Sequence, residues 1–289
     1  MTPCFAEDIR NDLLDKQPFK FHHQLLDHPA LSLENLSRVL PTLPQQQVMY
    51  SKGLLDVADD FESTFRKKPR DRTLEETIDS IRTSDAYIMV RSPEADPSFK
   101  DLYKALCGEV ASQMKKRGVG ELPIGAQLYL FIASPNSITP FHIDRYSTFL
   151  MQFRGSKTVF VGMPWDDRLV SQPDREAYVV REKTKLPWTP QMDDYATAFQ
   201  FSPGEALHIP FIAGHHVLNG PEDVSISMSI IFNTDESVRW RNAISFNHIL
   251  RKQLNKVSLA PTSVGHSGWR DAVKSRMWQS YRQMRGLEG

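Results

Sequence analysis

The triplet His142-Ile143-Asp144 is the first place where residue types and spacing suggest metal-ion chemistry. In a β-strand, residues two apart point to the same face, so the imidazole of His142 and the carboxylate of Asp144 can bind one metal ion together. This triplet alone is weak evidence, because nine histidines and 35 acidic residues in 289 produce about one such triplet by chance. The pair therefore needs support from elsewhere in the chain.

That support lies in residues 204–217, where a Gly-Glu turn leads into an apolar run, a proline and two adjacent histidines. Two histidines and one carboxylate on one face of an octahedral ion leave three positions open, which is the arrangement of non-haem Fe(II) oxygenases. The residues leave the third ligand open among His208, His215 and His216. In extended backbone His215 and His216 point to opposite faces, so at most one of these two can bind the metal.

Short apolar runs separated by Gly and Pro must position these residues. They indicate an all-β core in which no helix of ten residues separates neighbouring strands, and this argues against a doubly wound parallel sheet. A barrel or jelly roll is the natural closure. An Arg154-Gly155 pair between two runs predicts a tight hairpin. The predicted strands are residues 128–133, 148–153, 158–161, 206–209 and 225–232.

The flanking regions predict helices around this core. Residues 1–120 are expected to form a mainly helical layer, with Ser32 capping a short helix, a capping box at residues 73–76 opening another, and a clear helix that starts near Phe99 and ends at Gly118. Residues 121–233 are the predicted core, interrupted by a long excursion over residues 164–198. Residues 234–289 predict two further helices.

Composition limits the classes of function. The chain has 40% apolar and 24% charged residues, with 35 basic against 35 acidic side chains, so we expect a globular protein rather than a general nucleic-acid coat. From Arg239 onward, ten basic residues face two acidic ones, which fits a solvated helix face, a subunit interface or an anionic partner. Two cysteines without metal-type spacing, and no apolar run of signal or membrane-span length, predict a cytoplasmic protein.

The order and spacing of the motifs resemble the JmjC and cupin-like hydroxylases that use Fe(II) and 2-oxoglutarate, particularly the branch that contains the asparaginyl hydroxylase of hypoxia-inducible factor. The similar pattern is Thr-Pro-x-His-x-Asp, then Gly-x-Lys, then Gly-Glu-x-x-x-Ile-Pro, followed by His-x-Val, over about residues 128–232. The resemblance implies a double-stranded β-helix and an enzyme that uses O2 to hydroxylate a C–H bond, releasing succinate and carbon dioxide. On an N-methyl carbon, hydroxylation becomes demethylation.

The resemblance also implies roles for individual residues. His142, Asp144 and His215 match the three Fe(II) ligands. Lys157 matches the lysine that binds the far carboxylate of 2-oxoglutarate, and Thr139 matches the hydroxyl that assists it. The chemistry is suitable, because a compact ammonium and a hydroxyl can compensate a carboxylate for its loss of water.

Two positions depart from the asparaginyl hydroxylase, which has asparagine where this chain has Thr148 and Ser229. Both hydroxyls can still form hydrogen bonds to the cosubstrate. The substrate stays open among a peptide side chain, an amino acid and a small metabolite. Its candidate contacts are the aromatic and charged residues of the excursion, namely Trp165, Arg168, Tyr178 and Trp188.

Other interpretations of the chain remain. A metal-dependent cupin without 2-oxoglutarate would also use histidine and carboxylate ligands, but would not need Lys157 together with Thr139. A non-catalytic regulatory barrel could instead use the basic C-terminal region to bind an anionic partner. The resemblance further implies a homodimer formed through the C-terminal helices, whereas neither a membrane nor a nucleic-acid partner is expected.

Overall fold

The structure is a computed structural model that describes residues 3–52, 55–64, 81, 83, 86–254, 256 and 258–286. The predicted capping box at residues 73–76 lies outside the described residues. The described strands are β1 (Phe19–His22), β2 (Val48–Lys52), β3 (Ala86–Arg91), β4 (Ile124–Ala133), β5 (Ile138–Ile143), β6 (Ser147–Arg154), β7 (Lys157–Gly162), β8 (Ala196–Phe201), β9 (Glu205–Ile209), β10 (Gly214–Asn219) and β11 (Ser225–Asn233).

Six α-helices accompany these strands in the described part of the chain. The N-cap of the first is Ser32, whose side chain accepts a hydrogen bond from the backbone N–H of Asn35. The helices are α1 (Leu33–Val39), α2 (Phe61–Thr64), α3 (Lys100–Arg117), α4 (Gln172–Val179), α5 (Asp235–Leu254) and α6 (Gly268–Met284).

Two antiparallel sheets form the core, in the orders β1-β9-β6-β11-β4-β3-β2 and β5-β10-β7-β8. Strand β11 shows why the first sheet has two different faces. Ile226, Met228 and Ile230 lie in the main hydrophobic cluster, while Ser227 and Ser229 alternate with them and line a cavity. The predicted fold class, a jelly roll of the cupin type with added helices, is confirmed.

The N-terminal region differs from the mainly helical layer that the sequence predicts. It contributes β1, β2 and β3, which extend the larger sheet at both of its edges. Strand β1 pairs with β9 through Phe19 and His208, which are far apart in the chain. Local periodicity contains no information about such distant pairing, and a short apolar run such as β3 has the same pattern as a buried helix segment.

The predicted hairpin at Arg154-Gly155 is wrong. Strands β6 and β7 belong to different sheets, so the connection crosses from one sheet to the other. Gly155 has a φ of 65°, and a Cβ there would lie 2.7 Å from the carbonyl oxygen of Val224. The glycine is therefore needed for a sharp crossing against another segment of backbone, and not for a two-residue hairpin turn.

Four of the described helices, α1, α3, α5 and α6, lie close to where the sequence predicts them, whereas α2 and α4 were not predicted. Helix α3 ends at Gly118, whose left-handed φ of 75° lets its N–H bond back to the last turn. Helices α5 and α6 pack together as the predicted C-terminal pair. The homodimer through these helices stays a prediction. No helix in the described part of the chain is long and apolar enough to cross a membrane.

Candidate metal centre and cavity

The central feature of the site is a cluster of His142, Asp144 and His215, in which one ligand atom of each residue lies within 4.8 Å of the others. His142 and His215 are direct cross-strand partners on β5 and β10, so their side chains share one face. The Asp144 carboxylate lies 3.9 Å from Nε2 of His142 and 4.0 Å from Nε2 of His215. Two metal–ligand bonds of about 2.1 Å span at most about 4.2 Å, so one divalent ion could contact all three.

Hydrogen bonds fix both histidines with the correct nitrogen facing the cluster. Nδ1 of His142 lies 2.8 Å from the carbonyl oxygen of Pro140, and Nδ1 of His215 lies 2.9 Å from that of Ala213. A carbonyl oxygen can only accept, so each Nδ1 carries the proton and each Nε2 has a free lone pair. This is the arrangement that orients histidine ligands in metalloproteins, and the cluster therefore fits a resident metal ion.

The surroundings of the cluster hold its other groups in place. Thr148 donates a hydrogen bond of 2.8 Å from its hydroxyl to Oδ2 of Asp144. The ring of Phe61 stacks on the His142 imidazole with centroids 3.9 Å apart. Burial, assisted by the neighbouring His215, holds the pKa of His142 well below its ordinary value, so the imidazole is neutral at physiological pH. Metal binding requires this neutral form.

His208, one of the three candidates for the third ligand, is not part of this cluster. It is fully buried, and its Nε2 accepts a hydrogen bond of 2.9 Å from the backbone N–H of Asp15. Its Nδ1 lies 3.1 Å from the carbonyl oxygen of Thr148. Both ring nitrogens are therefore engaged, and burial lowers the pKa of His208 to about 3. We infer that His208 joins the N-terminal segment to strand β6.

His216 also points away from the cluster. Its Nε2 lies 2.9 Å from the Asp193 carboxylate, and its ring stacks on Phe160 with centroids 4.5 Å apart. The two adjacent histidines therefore point to opposite faces of β10, as the sequence predicts. Of the three histidines that the sequence left open, His215 is the one that the structure places next to His142 and Asp144.

A cavity of about 270 Å³ opens beside the cluster, and Lys157 is part of its lining. The lysine is 6% exposed, and its Nζ donates a hydrogen bond of 2.8 Å to the hydroxyl of Ser227. Burial lowers its pKa from 10.5 to about 7. Among the described residues no carboxylate pairs with this amine, so any positive charge on it lacks a counter-ion. Buried cations normally have one, and the exception indicates a site for an anionic ligand.

Other hydroxyl groups line the same cavity. Thr139 is buried on β5 and donates a hydrogen bond of 3.3 Å to the hydroxyl of Tyr87, and Ser229 lies on the cavity face of β11. The hydroxyl proton of Thr148 is already donated to Asp144, which leaves Ser229 freer than Thr148 to donate to a ligand. Ser227 and Tyr87 were not predicted, although the alternation of serine with Ile and Met along residues 225–230 was a signal for Ser227.

The cavity also contains a fixed ion pair that the sequence did not reveal. Arg145 lies 2.6 Å from the Glu62 carboxylate, and two of its nitrogens donate to the carbonyl oxygen of Tyr178. Its guanidinium also lies 4.3 Å from the centre of the Tyr178 ring. Glu62 belongs to the short helix α2, about eighty residues before Arg145 in the chain, and no local pattern predicts such a contact.

Three of the four residues predicted to contact the substrate do not line the cavity. The cavity lining includes Tyr178, but not Trp165, Arg168 or Trp188. Trp165 packs edge-on against Trp240 of α5, with centroids 5.4 Å apart. Arg168 is paired with Asp166, and the Trp188 ring packs against His216. Trp165 and Trp188 hold the excursion against the C-terminal helices and the barrel, because large aromatic groups in a long loop are most stable when buried. Arg168 is exposed and pairs within the excursion itself.

The fold and the site together define a class: a double-stranded β-helix whose cavity holds a cluster of two buried histidines and one half-buried carboxylate. The sequence also matches the model of the cupin-like domain over residues 13–237. This match covers more than half of the chain, and the protein belongs to the cupin-like domain family. The family expected from the motifs is thereby confirmed.

Comparison with individual proteins does not narrow the assignment beyond the family. Two solved structures of Escherichia coli YcfD, one of them described as a ribosomal oxygenase, are similar over 96% of this chain, with sequence identities of 14% and 13%. The similarity covers 68% and 67% of those chains, with TM-scores of 0.47 and 0.48. The comparison with curated proteins finds no significant match.

Proposed function

We propose that the protein is an Fe(II)- and 2-oxoglutarate-dependent dioxygenase. Lys157 is the observation that carries this proposal. It is a buried amine in the same cavity as the metal cluster, and no carboxylate in the described part of the chain pairs with it. A histidine and carboxylate cluster alone suits many cupin reactions. When it is charged, the buried lysine lacks a counter-ion among the described residues, and an anionic ligand would offset the cost of its burial. 2-Oxoglutarate supplies an oxo-acid group for the metal and a second carboxylate for Lys157.

Each polar residue has a distinct part in this proposal. His142, Asp144 and His215 would hold Fe(II), which supplies the activation of O2 when it is bound. Lys157 would pair with the far carboxylate of 2-oxoglutarate. Thr139 would turn its hydroxyl proton from Tyr87 to the same carboxylate. Thr148 keeps the Asp144 carboxylate in its orientation. The buried walls of the cavity exclude water from these groups, which strengthens their electrostatic interactions.

The proposed reaction consumes O2, 2-oxoglutarate and a substrate C–H bond. One oxygen atom enters succinate as carbon dioxide is lost, and the other forms the new C–OH group. A cavity of about 270 Å³ is small, so we expect it to admit one side chain or one small molecule beside the cosubstrate. The substrate is therefore a peptide side chain, an amino acid or a small metabolite, and Tyr178 is the excursion residue placed to contact it.

The affinity for 2-oxoglutarate should decrease as the pH rises. Lys157 has a pKa of about 7 in the ligand-free protein, and pairing with a carboxylate favours its charged form. Above that pKa, binding must be accompanied by uptake of one proton, so the dissociation constant should rise about tenfold per pH unit. Calorimetric titration of the metal-loaded protein without oxygen, between about pH 6 and pH 9, measures this dependence.

The control for this titration is Lys157→Met, which removes the titrating amine. Its affinity should be weak and nearly independent of pH. A wild-type affinity that stays constant over the same pH range would contradict the assignment of Lys157 to the cosubstrate.

A further inference from the structure

We propose that the substrate carries a carboxylate group, and that Arg91 and Arg181 bind this group at the mouth of the cavity. The inference rests on the proposed function and deepens it by naming the chemical class of the substrate. It depends on which charged residues line the cavity and on which of them already have partners.

The charges deep in the cavity balance once the cosubstrate is present. The metal ion and Lys157 contribute three positive charges, while Asp144 and the two carboxylates of 2-oxoglutarate contribute three negative ones. Further out, Arg145 and Glu62 neutralise each other through their 2.6 Å ion pair. Among the described residues, the two remaining charged side chains of the lining are Arg91 and Arg181, and both are positive. The described lining of the loaded cavity therefore carries an excess of two positive charges.

The positive charge of each arginine is available to a ligand, although Arg91 also forms a side-chain hydrogen bond with the hydroxyl of Tyr129. Among the described residues no carboxylate lies within ion-pairing distance of either guanidinium, and both side chains are exposed. Arg91 is the last residue of β3 and lies 5.8 Å from the centre of the Tyr129 ring. Arg181 follows the end of α4 with a φ of 63°, a left-handed conformation that costs energy for a residue with a side chain.

The position of Arg181 is tied to the rest of the site. Its backbone N–H donates to the carbonyl oxygen of Tyr178 over 3.0 Å, and the same carbonyl accepts two bonds from Arg145. This shared acceptor couples the strained turn at Arg181 to the fixed ion pair in the cavity. Guanidinium groups bind carboxylates with two parallel hydrogen bonds, so the pair of arginines suits a carboxylate better than a neutral amide.

The test uses two small libraries made as matched pairs. One contains free amino and organic acids, and the other contains capped peptides with a central Asp or Glu. Each member is also supplied as its carboxamide. Addition of a member to the anaerobic complex with Fe(II) and 2-oxoglutarate is followed by the change in the visible absorption of the metal centre, which gives a dissociation constant without turnover. Succinate release in air is measured separately.

We expect the binding members to be carboxylates and their carboxamides to bind at least about tenfold more weakly. Arg91→Gln and Arg181→Gln should each weaken carboxylate binding about tenfold, while leaving the dissociation constant of 2-oxoglutarate within about twofold. Because arginine does not titrate, this binding should not share the pH dependence of Lys157. The control is Arg10→Gln, which removes an exposed arginine that is paired with Asp12 and does not line the cavity.

The two libraries distinguish a small acid from an acidic side chain within a peptide. The inference is overturned if carboxamides bind as well as carboxylates, if no carboxylate member binds, or if both arginine variants bind like the wild type. These outcomes leave the proposed function intact as long as the anaerobic complex forms. Failure of that complex to form would instead count against the proposed function.

Discussion

Replacement of His215 by alanine should abolish tight metal binding, while the same replacement of the adjacent His216 should leave it intact. The two residues have the same side chain and are neighbours in the chain, but they face opposite sides of β10. His215 presents a free Nε2 to Asp144 and His142, whereas the Nε2 of His216 is paired with Asp193. The pair is therefore a matched test of the assigned ligand set.

The measurement is titration with Mn(II), followed by the electron paramagnetic resonance signal of the free ion. Loss of a group that only orients a ligand costs roughly 10- to 100-fold in affinity, so loss of a ligand itself should exceed about 100-fold. His216→Ala should stay within about threefold of the wild type. Equal losses for the two variants, with both still folded by circular dichroism, would show that His215 is not a ligand.

Replacement of Lys157 by methionine should weaken 2-oxoglutarate binding and stabilise the protein at the same time. Truncation of one partner of a buried charge pair costs roughly 2–5 kcal/mol, so affinity should fall by about 30-fold or more. Opposite effects on affinity and stability are typical of a residue that is retained for function at a cost to the fold. A residue with a purely structural role would destabilise the fold when it is replaced.

The effect on stability has a defined dependence on pH. Burial lowers the pKa of Lys157 from 10.5 to about 7, so the unfolded chain binds more protons than the folded one between these values. The penalty is therefore complete below about pH 7 and disappears as the pH approaches 10.5. At about pH 6 we expect Lys157→Met to raise the free energy of unfolding by roughly 3 kcal/mol, somewhat less than the full shift implies because methionine leaves Ser227 unpaired.

Urea unfolding of the two proteins at about pH 6 and about pH 10 measures this difference. The stabilisation should be large at the lower pH and small at the higher one. A variant that is less stable than the wild type at both pH values would contradict the interpretation of Lys157 as an uncompensated buried cation.

The sequence predicts five strands of the β-core because short apolar runs are separated by Gly and Pro. In β11, serine alternates with Ile and Met, and this period of two identifies both the buried face and the cavity face. The two-residue spacing of His142 and Asp144 predicts that both side chains share one face, because this depends only on local strand geometry. These features could be predicted because each is determined within a few residues.

Features that depend on distant contacts could not be predicted. Strand β1 pairs with a strand that lies far along the chain, and Glu62 reaches the cavity only because α2 packs near β5. The side chains of the excursion follow no period, so the sequence could not distinguish Tyr178, which lines the cavity, from Trp165, which packs on Trp240. Loop orientation is determined by tertiary packing, and single-sequence patterns contain little information about it.

The central claim is that one cavity binds both the metal and 2-oxoglutarate. The most direct test adds Fe(II) and 2-oxoglutarate to the purified protein without oxygen and records the visible charge-transfer absorption of a chelated oxo acid. We predict a band that requires both additions, is lost in His215→Ala and is weakened in Lys157→Met. No band from wild-type protein that has bound iron would contradict the account and leave a cupin with a different chemistry.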